Sequence, residues 1–201
     1  MSDIIYDTRK RITEIGALMY QRFLTDSAGG NISVRIGDTV LMTPRYAGSK
    51  WFWKLDPEQV LILDLEGNKV EGDGEVSREF RVHIKLLNDF YPDGTVVVHG
   101  HARNVLVFCA LNLPLPSMLY STDKFGEIVQ VEDAPAHTPA LSLSIAAAIK
   151  PQLERVKKQA AVVNAPRHGT FVFAKDLESG YDALERVDVN AYMVMMSKHL
   201  R

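Results

Sequence analysis

An α/β protein with a largely antiparallel sheet flanked by helices is the fold class this sequence predicts. Two pairs of short apolar runs, each joined by a brief polar turn, read as β-hairpins, and local hairpins pair antiparallel. A further strand, rich in β-branched residues, ends in His99-Gly100-His101. Segments with the helical period precede, interrupt and close the chain.

Residues 8–23 form the first predicted helix, because Ile12, Ile15, Leu18, Met19 and Phe23 recur near helical spacing. The run Ser27-Ala28-Gly29-Gly30-Asn31 breaks it. Residues 32–35 and 39–43 make a hairpin around Ile36-Gly37-Asp38, and residues 44–53 a loop. Residues 61–65 and 69–71 make a second hairpin around Glu66-Gly67-Asn68. Ser77 is placed to cap a helix reaching about Phe90, with Phe80, Ile84 and Leu87 inward. The histidine strand, 95–101, follows Pro92-Asp93-Gly94, and a helix through 106–111 stops before Pro114 and Pro116. Residues 120–139 read as loop and short strand, and residues 141–156 as largely helical despite Pro151. Two strands flank residues 164–169, and a final helix covers about 177–200 with Asp176 near its cap. No repeat, low-complexity tract or linker appears, so residues 1–201 read as one domain.

A chain of 201 residues can bury one substantial core. Its net charge of −2 provides no global basic field to recruit nucleic acid. No apolar run approaches the roughly 18 residues of a membrane span, and no basic start leads into an apolar signal core. The single cysteine, Cys109, excludes an intramolecular disulfide and reads as a small buried side chain. These features predict a soluble cytoplasmic protein with neither nucleic-acid nor membrane partners.

The chemistry-bearing residues begin with His99 and His101, which project to the same side of a strand. Paired imidazoles suit a divalent metal such as zinc, whose catalytic sites often use three protein ligands and keep one position open. His168, between two apolar runs, is a third candidate. Spacing alone also allows polar strand residues satisfied by hydrogen bonds or solvent. Glu79, in the first turn of the predicted helix, reads either as a charge favourable to the helix dipole or as an acid/base beside a metal. His83 falls on the inward face and reads as a partly buried structural residue, and His137 and His199 read as surface residues. Gly29-Gly30-Asn31 is a turn whose glycines allow backbone N–H groups to approach an anion.

Taken together and in order, Gly29-Gly30-Asn31-Ile32-Ser33-Val34-Arg35, Leu41-Met42-Thr43-Pro44, Glu79 four residues before His83, Val97-Val98-His99-Gly100-His101-Ala102 and His168-Gly169 resemble the class II aldolase/adducin family. The resemblance runs from about Thr8 to Leu200. It implies a three-layer α/β/α fold around a mainly antiparallel sheet, and a homotetramer with active sites at subunit interfaces. It implies His99, His101 and His168 as ligands of Zn²⁺, or of another divalent ion such as Mn²⁺ or Co²⁺. Glu79 is the implied acid/base, and Tyr120 the implied catalytic residue at the aldehyde end. Gly30, Asn31, Thr43 and Ser77 are the implied anion-binding residues. The implied activity is that of a lyase in carbohydrate metabolism, cleaving a small-molecule substrate, a sugar phosphate or related hydroxy-ketone, through a metal-stabilised enediolate.

The chain departs from the family's aldolases at the anion site. Arg45-Tyr46 follows Thr43-Pro44 where those members carry a small Thr-Gly pair, and Arg78 replaces a serine between Ser77 and Glu79. Arginine grips phosphate or carboxylate bidentately, so Arg45 and Arg78 admit either anion, and pairing with nearby acids is their other reading. The aromatic-rich residues 47–53 either line the pocket or pack an interface, and Arg167 adds charge beside His168 or faces solvent. A counterpart to the aldolases' tail tyrosine is not found. Competing expectations are decarboxylation of a 3-oxo-tetronate phosphate, dehydration, epimerisation and a non-catalytic adducin-like module. Glu79, rather than aspartate, argues against the epimerases, and the retained histidines argue against the module.

Overall fold

The computed structural model describes residues 2–200. In chain order it contains α1 (Ser2–Gln21), β1 (Asn31–Ile36), β2 (Thr39–Met42), α2 (Ala47–Trp51), β3 (Leu61–Leu63), β4 (Lys69–Glu71), α3 (Phe80–Asp89), β5 (Val96–Gly100), α4 (Arg103–Leu111), α5 (Pro139–Ile149), α6 (Leu153–Lys158), β6 (Ala160–Ala165), β7 (Gly169–Ala174) and α7 (Leu177–Ser197). The strands form one seven-stranded sheet in the order β4-β3-β2-β1-β5-β7-β6, with every neighbouring pair antiparallel. The α/β class and the antiparallel sheet agree with the sequence.

The central strands are covered on both faces, which explains why β5 reads as a continuous apolar run rather than an alternating one. Val96 and Val98 enter one core with Ile12 and Ile15 of α1, Val105 of α4 and Leu184 of α7. Val97 faces a second core with Val82 and Leu86 of α3, Ile145 of α5 and Val156 of α6. The result is an α/β/α stack. No helix among the described residues is long and apolar enough to cross a membrane.

Several local expectations need correction. Helix α1 begins at Ser2, earlier than its apolar repeat, and Phe23 lies beyond it in a left-handed conformation, half exposed. The expected loop at 44–53 contains α2, and Trp53 is fully buried in the core instead of lining a pocket. Helix α3 starts at Phe80, so Glu79 occupies the cap position and Ser77 stands outside the helix. Pro151 does interrupt the helical stretch: α5 stops at Ile149, a 3-10 turn spans Lys150–Gln152, and α6 follows. Residues 120–139 hold a 3-10 turn and isolated bridges but no extended strand. Cys109 is buried as expected, and burial pushes its thiol up to about 12.

Helix α4 begins directly after the histidine strand, and its first amides are satisfied from a distance. The N-cap Ala102 offers no side-chain acceptor. Asp188, buried on α7, supplies one: Oδ1 accepts from Asn104 N at 2.8 Å and Val105 N at 3.2 Å, and Oδ2 accepts from Asn104 Nδ2 at 2.7 Å. A carboxylate at a helix N-terminus also meets the positive end of the dipole. Removing it leaves buried donors without partners. Asp188→Ala is therefore expected to cost about 2 kcal/mol of folding stability, read as a lower urea midpoint with unchanged slope. An unaltered midpoint would contradict this cap.

Candidate metal centre and active-site cleft

The sheet register assembles the site. In the β1–β5 pair Asn31 lies opposite His99, and in the β5–β7 pair His99 lies opposite Phe171 and Gly100 opposite Thr170. His168 sits in the turn from β6 to β7, so that turn folds over the end of β5. The His99 ring stacks on Phe171, with centroids 4.2 Å apart and planes 13° from parallel. The centroids of His99 and His101 are 5.1 Å apart, and those of His99 and His168 are 5.0 Å apart. One ring nitrogen from each of the three lies within 4.8 Å of the others.

Two glycines permit this crowding. A Cβ on Gly169 would meet Gly100 O at 2.7 Å and the His99 ring at 2.9 Å. A Cβ on Gly29 would strike the His101 ring at 2.3 Å. Neither space can accept a methyl group.

Hydrogen bonds select which nitrogens face inward. His99 Nδ1 contacts Thr170 O at 3.0 Å and His101 Nδ1 contacts Asp26 Oδ1 at 3.1 Å. Both acceptors favour the tautomer with the proton on Nδ1, leaving Nε2 as a lone-pair donor. Burial first, then the charges of His168 and His101, hold the His99 imidazole well below its usual pKa, so it stays neutral at physiological pH. Three imidazoles converging on one point suit a divalent cation.

Glu79 adds a carboxylate to the cluster. It is only 4% exposed, yet Oε1 lies 3.1 Å from His168 Nε2 and 2.6 Å from His137 Nδ1. Neither contact is aligned as a hydrogen bond, and both carboxylate oxygens lack a hydrogen-bond donor. Burial alone would raise the Glu79 pKa. Contact with His168, and then the charges of His168, His137 and His83, outweigh burial and hold the carboxyl below its usual value. Glu79 is therefore an ionised, buried carboxylate whose oxygens lack a hydrogen-bond donor, a group that a divalent ion fits.

The Gly29–Asn31 turn adjoins the cluster. Asn31 is buried, its Nδ2 donates to Ser77 Oγ at 3.1 Å, and its Oδ1 has no partner. Ser77 Oγ also accepts from Glu79 N at 3.3 Å. A cleft of about 670 Å³ opens here, with Gly30, Asn31, Ser77, Arg78, Glu79 and the three clustered histidines on its walls.

Other predicted site residues lie elsewhere or are already engaged. Thr43 is fully buried outside the cleft, where its Oγ1 accepts from Ile32 N at 3.0 Å. Arg45 reaches the cleft wall, but it pairs with Glu75 at 2.7 Å and covers the Tyr46 ring at 4.5 Å. Arg78 is exposed in the cleft wall with no ion-pair partner among the described residues. Tyr120 is 98% exposed and not part of this cleft. Arg167 pairs with Asp133 at 2.9 Å, pinning the loop that precedes α5 to the His168 turn.

Three residues escaped the sequence reading or changed role. His137, read as a surface residue, lies in the cleft against Glu79 with a left-handed backbone. No periodicity marks a loop residue, so only the fold reveals it. Asp26 carried no motif of its own. His83 is completely rather than partly buried; its Nδ1 meets Ser33 Oγ at 2.6 Å, and burial depresses its pKa to about 3, partly opposed by Glu79.

A profile of the family described as Class II Aldolase and Adducin N-terminal domain matches residues 10–195. The chain is 25% identical over 197 residues to 5-deoxy-D-ribulose 1-phosphate aldolase of Bacillus thuringiensis, covering 98% of this chain and 88% of that protein. It is 27% identical over 196 residues to 3-oxo-tetronate 4-phosphate decarboxylase of Cupriavidus necator, covering 94% and 84%. The solved structure of an L-fuculose 1-phosphate aldolase superposes with a TM-score of 0.82 at 23% identity, covering 96% of this chain and 87% of that one. The match across residues 10–195, joined to the shared fold, shows that this chain belongs to the class II aldolase and adducin family.

Proposed function

We propose that this chain is a metal-dependent aldolase that cleaves a ketose 1-phosphate between C3 and C4. The observation that carries the reading is Glu79: a buried, ionised carboxylate beside the third imidazole of a three-histidine cluster, in the wall of one cleft. Aldolases acting by name on such phosphates are among the chain's relatives.

In this reading His99, His101 and His168 hold Zn²⁺, or Mn²⁺ or Co²⁺, since imidazole accepts several divalent ions. When bound, the ion supplies Lewis-acid stabilisation to the enediolate that carbon–carbon cleavage leaves. The C4 hydroxyl gives its proton to the ionised Glu79 carboxylate as C4 becomes the aldehyde, and the C3–C4 electron pair stays on C3. Glu79 then delivers a proton to C3, completing dihydroxyacetone phosphate, and removes it in the reverse direction. Asn31, Ser77 and the Gly29–Gly30 backbone receive the phosphate, and the unpaired Arg78 reaches it from the cleft wall.

Tyr120 acts, in the same reading, in the cleft of a neighbouring copy within a cytoplasmic homotetramer. Its own cleft excludes it, yet its loop is firmly held. Asn190 Oδ1 accepts from Met118 N, Leu119 N and Thr122 Oγ1, while Asn190 Nδ2 donates to Pro116 O. A fully exposed ring on an anchored loop suits contact with another molecule.

A second reading, decarboxylation of a 3-oxo-tetronate 4-phosphate, is favoured by Arg78, whose free guanidinium suits a carboxylate as well as a phosphate. One relative is named for that reaction. Release of CO₂ from this substrate, without cleavage of 5-deoxy-D-ribulose 1-phosphate, would select it.

Two outcomes test the aldolase reading. In D₂O, zinc-loaded protein should exchange the C3 proton of dihydroxyacetone phosphate, followed by proton NMR. Chelation should stop this exchange and added zinc restore it. Glu79→Gln should slow exchange at least ~100-fold while zinc remains bound. Near-normal exchange in that variant would remove Glu79 from the mechanism. For Tyr120, co-expressed Glu79→Gln and Tyr120→Phe chains should form mixed oligomers that recover cleavage of 5-deoxy-D-ribulose 1-phosphate lost by each alone. No recovery in proven mixed oligomers would contradict a site shared between copies.

A further inference from the structure

The Nδ1 atoms of the three clustered histidines have different surroundings. His99 Nδ1 meets a backbone carbonyl, that of Thr170. His168 Nδ1 is buried and has no hydrogen-bond partner. His101 Nδ1 alone meets a carboxylate, Asp26 Oδ1, at 3.1 Å. The same oxygen accepts from Ala28 N at 2.8 Å and Gly29 N at 3.0 Å. The Asp26 backbone oxygen accepts from the buried Trp53 indole at 3.1 Å. Asp26 is thus fastened at both ends, and one of its oxygens joins the glycine turn to His101.

The contact is tightly constrained around the imidazole. Gly29 presents its Cα hydrogens to the His101 ring, leaving no room for a Cβ. Arg103 N donates to Phe23 O at 3.2 Å, and the Arg103 guanidinium covers the Phe23 ring at 3.6 Å, so the segment before Asp26 is tied to the start of α4. His101 lies between these two attachments, just past the end of β5. Within that space the Asp26 hydrogen bond sets which ring nitrogen faces the cluster. Asp26 is 46% exposed, so water screens the bare charge attraction, and direction outweighs Coulomb energy.

We propose that Asp26 is a positioning residue for a metal ion held by His99, His101 and His168. Its carboxylate fixes the Nδ1–H tautomer of His101, turns Nε2 toward the cluster and makes that nitrogen a stronger donor. The inference rests on the metal-centre reading above. Because Oδ1 also holds the turn that lines the anion end of the cleft, Asp26 ties the position of one ligand to the position of that turn.

Cobalt(II) titration of metal-free protein, followed by visible absorption, tests the proposal without any turnover. Asp26→Asn keeps an oxygen for Ala28 N and Gly29 N but loses the negative charge opposite His101. It should weaken cobalt binding about 10-fold or more while the thermal midpoint of the metal-free protein stays at the wild-type value. Asp26→Ala should weaken binding further and also lower that midpoint, since the turn loses its acceptor. Cobalt affinity in Asp26→Asn within twofold of wild type would overturn the positioning role and leave Asp26 as a turn residue only. If wild-type protein itself takes up no cobalt, the metal-centre reading fails first, and the role assigned to Asp26 falls with it.

Discussion

The pairing of β1, β5 and β7 is the constraint on which the site depends. Residues 31, 99 and 171 lie abreast across three antiparallel strands. Side chains alternate with a period of two, so a one-residue slip would send His99 into the opposite core and separate it from His168. The valines of β5 prevent that slip, because Val96 and Val98 belong to one core and Val97 to the other. Hydrophobic packing on both faces thereby fixes the geometry of polar groups at the strand end. Asp188 reinforces the arrangement from α7 by holding the first amides of α4, immediately beyond His101.

Burial then separates the charge states of neighbouring groups. Desolvation keeps His99 neutral, with the nearby histidines adding to the effect. Glu79 experiences the same desolvation but lies against His168 and His137, and these contacts keep it ionised. A neutral His99 beside an anionic Glu79 places two differently charged donors in one cleft. Arg45 contributes less positive charge than its position in the sequence promises, because Glu75 already occupies its guanidinium. Among the described residues Arg78 has no such partner, and its charge stays free in the cleft wall.

Elements whose pattern repeats were legible in the sequence. The hairpins, the histidine strand and the closing helix follow from local periodicity, and the antiparallel sheet follows from the hairpins. Boundaries governed by single residues were less so: Pro151 breaks a helix whose apolar pattern continues through it, and Ser77 resembles a cap although the helix begins after Glu79. His99, His101, His168 and Glu79 could be selected by residue type and order along the chain. His137 and Asp26 could not, because each meets its partner through loop geometry: His137 lies 58 positions beyond Glu79, and the Asp26–His101 pair spans 75 positions. Arg45 and Thr43 show the fold engaging polar groups that the sequence leaves open. Their types fit an anion site, but the fold gives Arg45 an acid to pair with and turns Thr43 to a backbone amide in the sheet.

The central claim is that three imidazoles form one divalent-metal centre. X-ray absorption at the zinc edge of the loaded protein measures it most directly. The account predicts a first shell containing three imidazole nitrogens at roughly 2.0–2.1 Å, with one fewer imidazole in His168→Ala. A zinc shell without imidazole scattering, or one unchanged by that substitution, would contradict it.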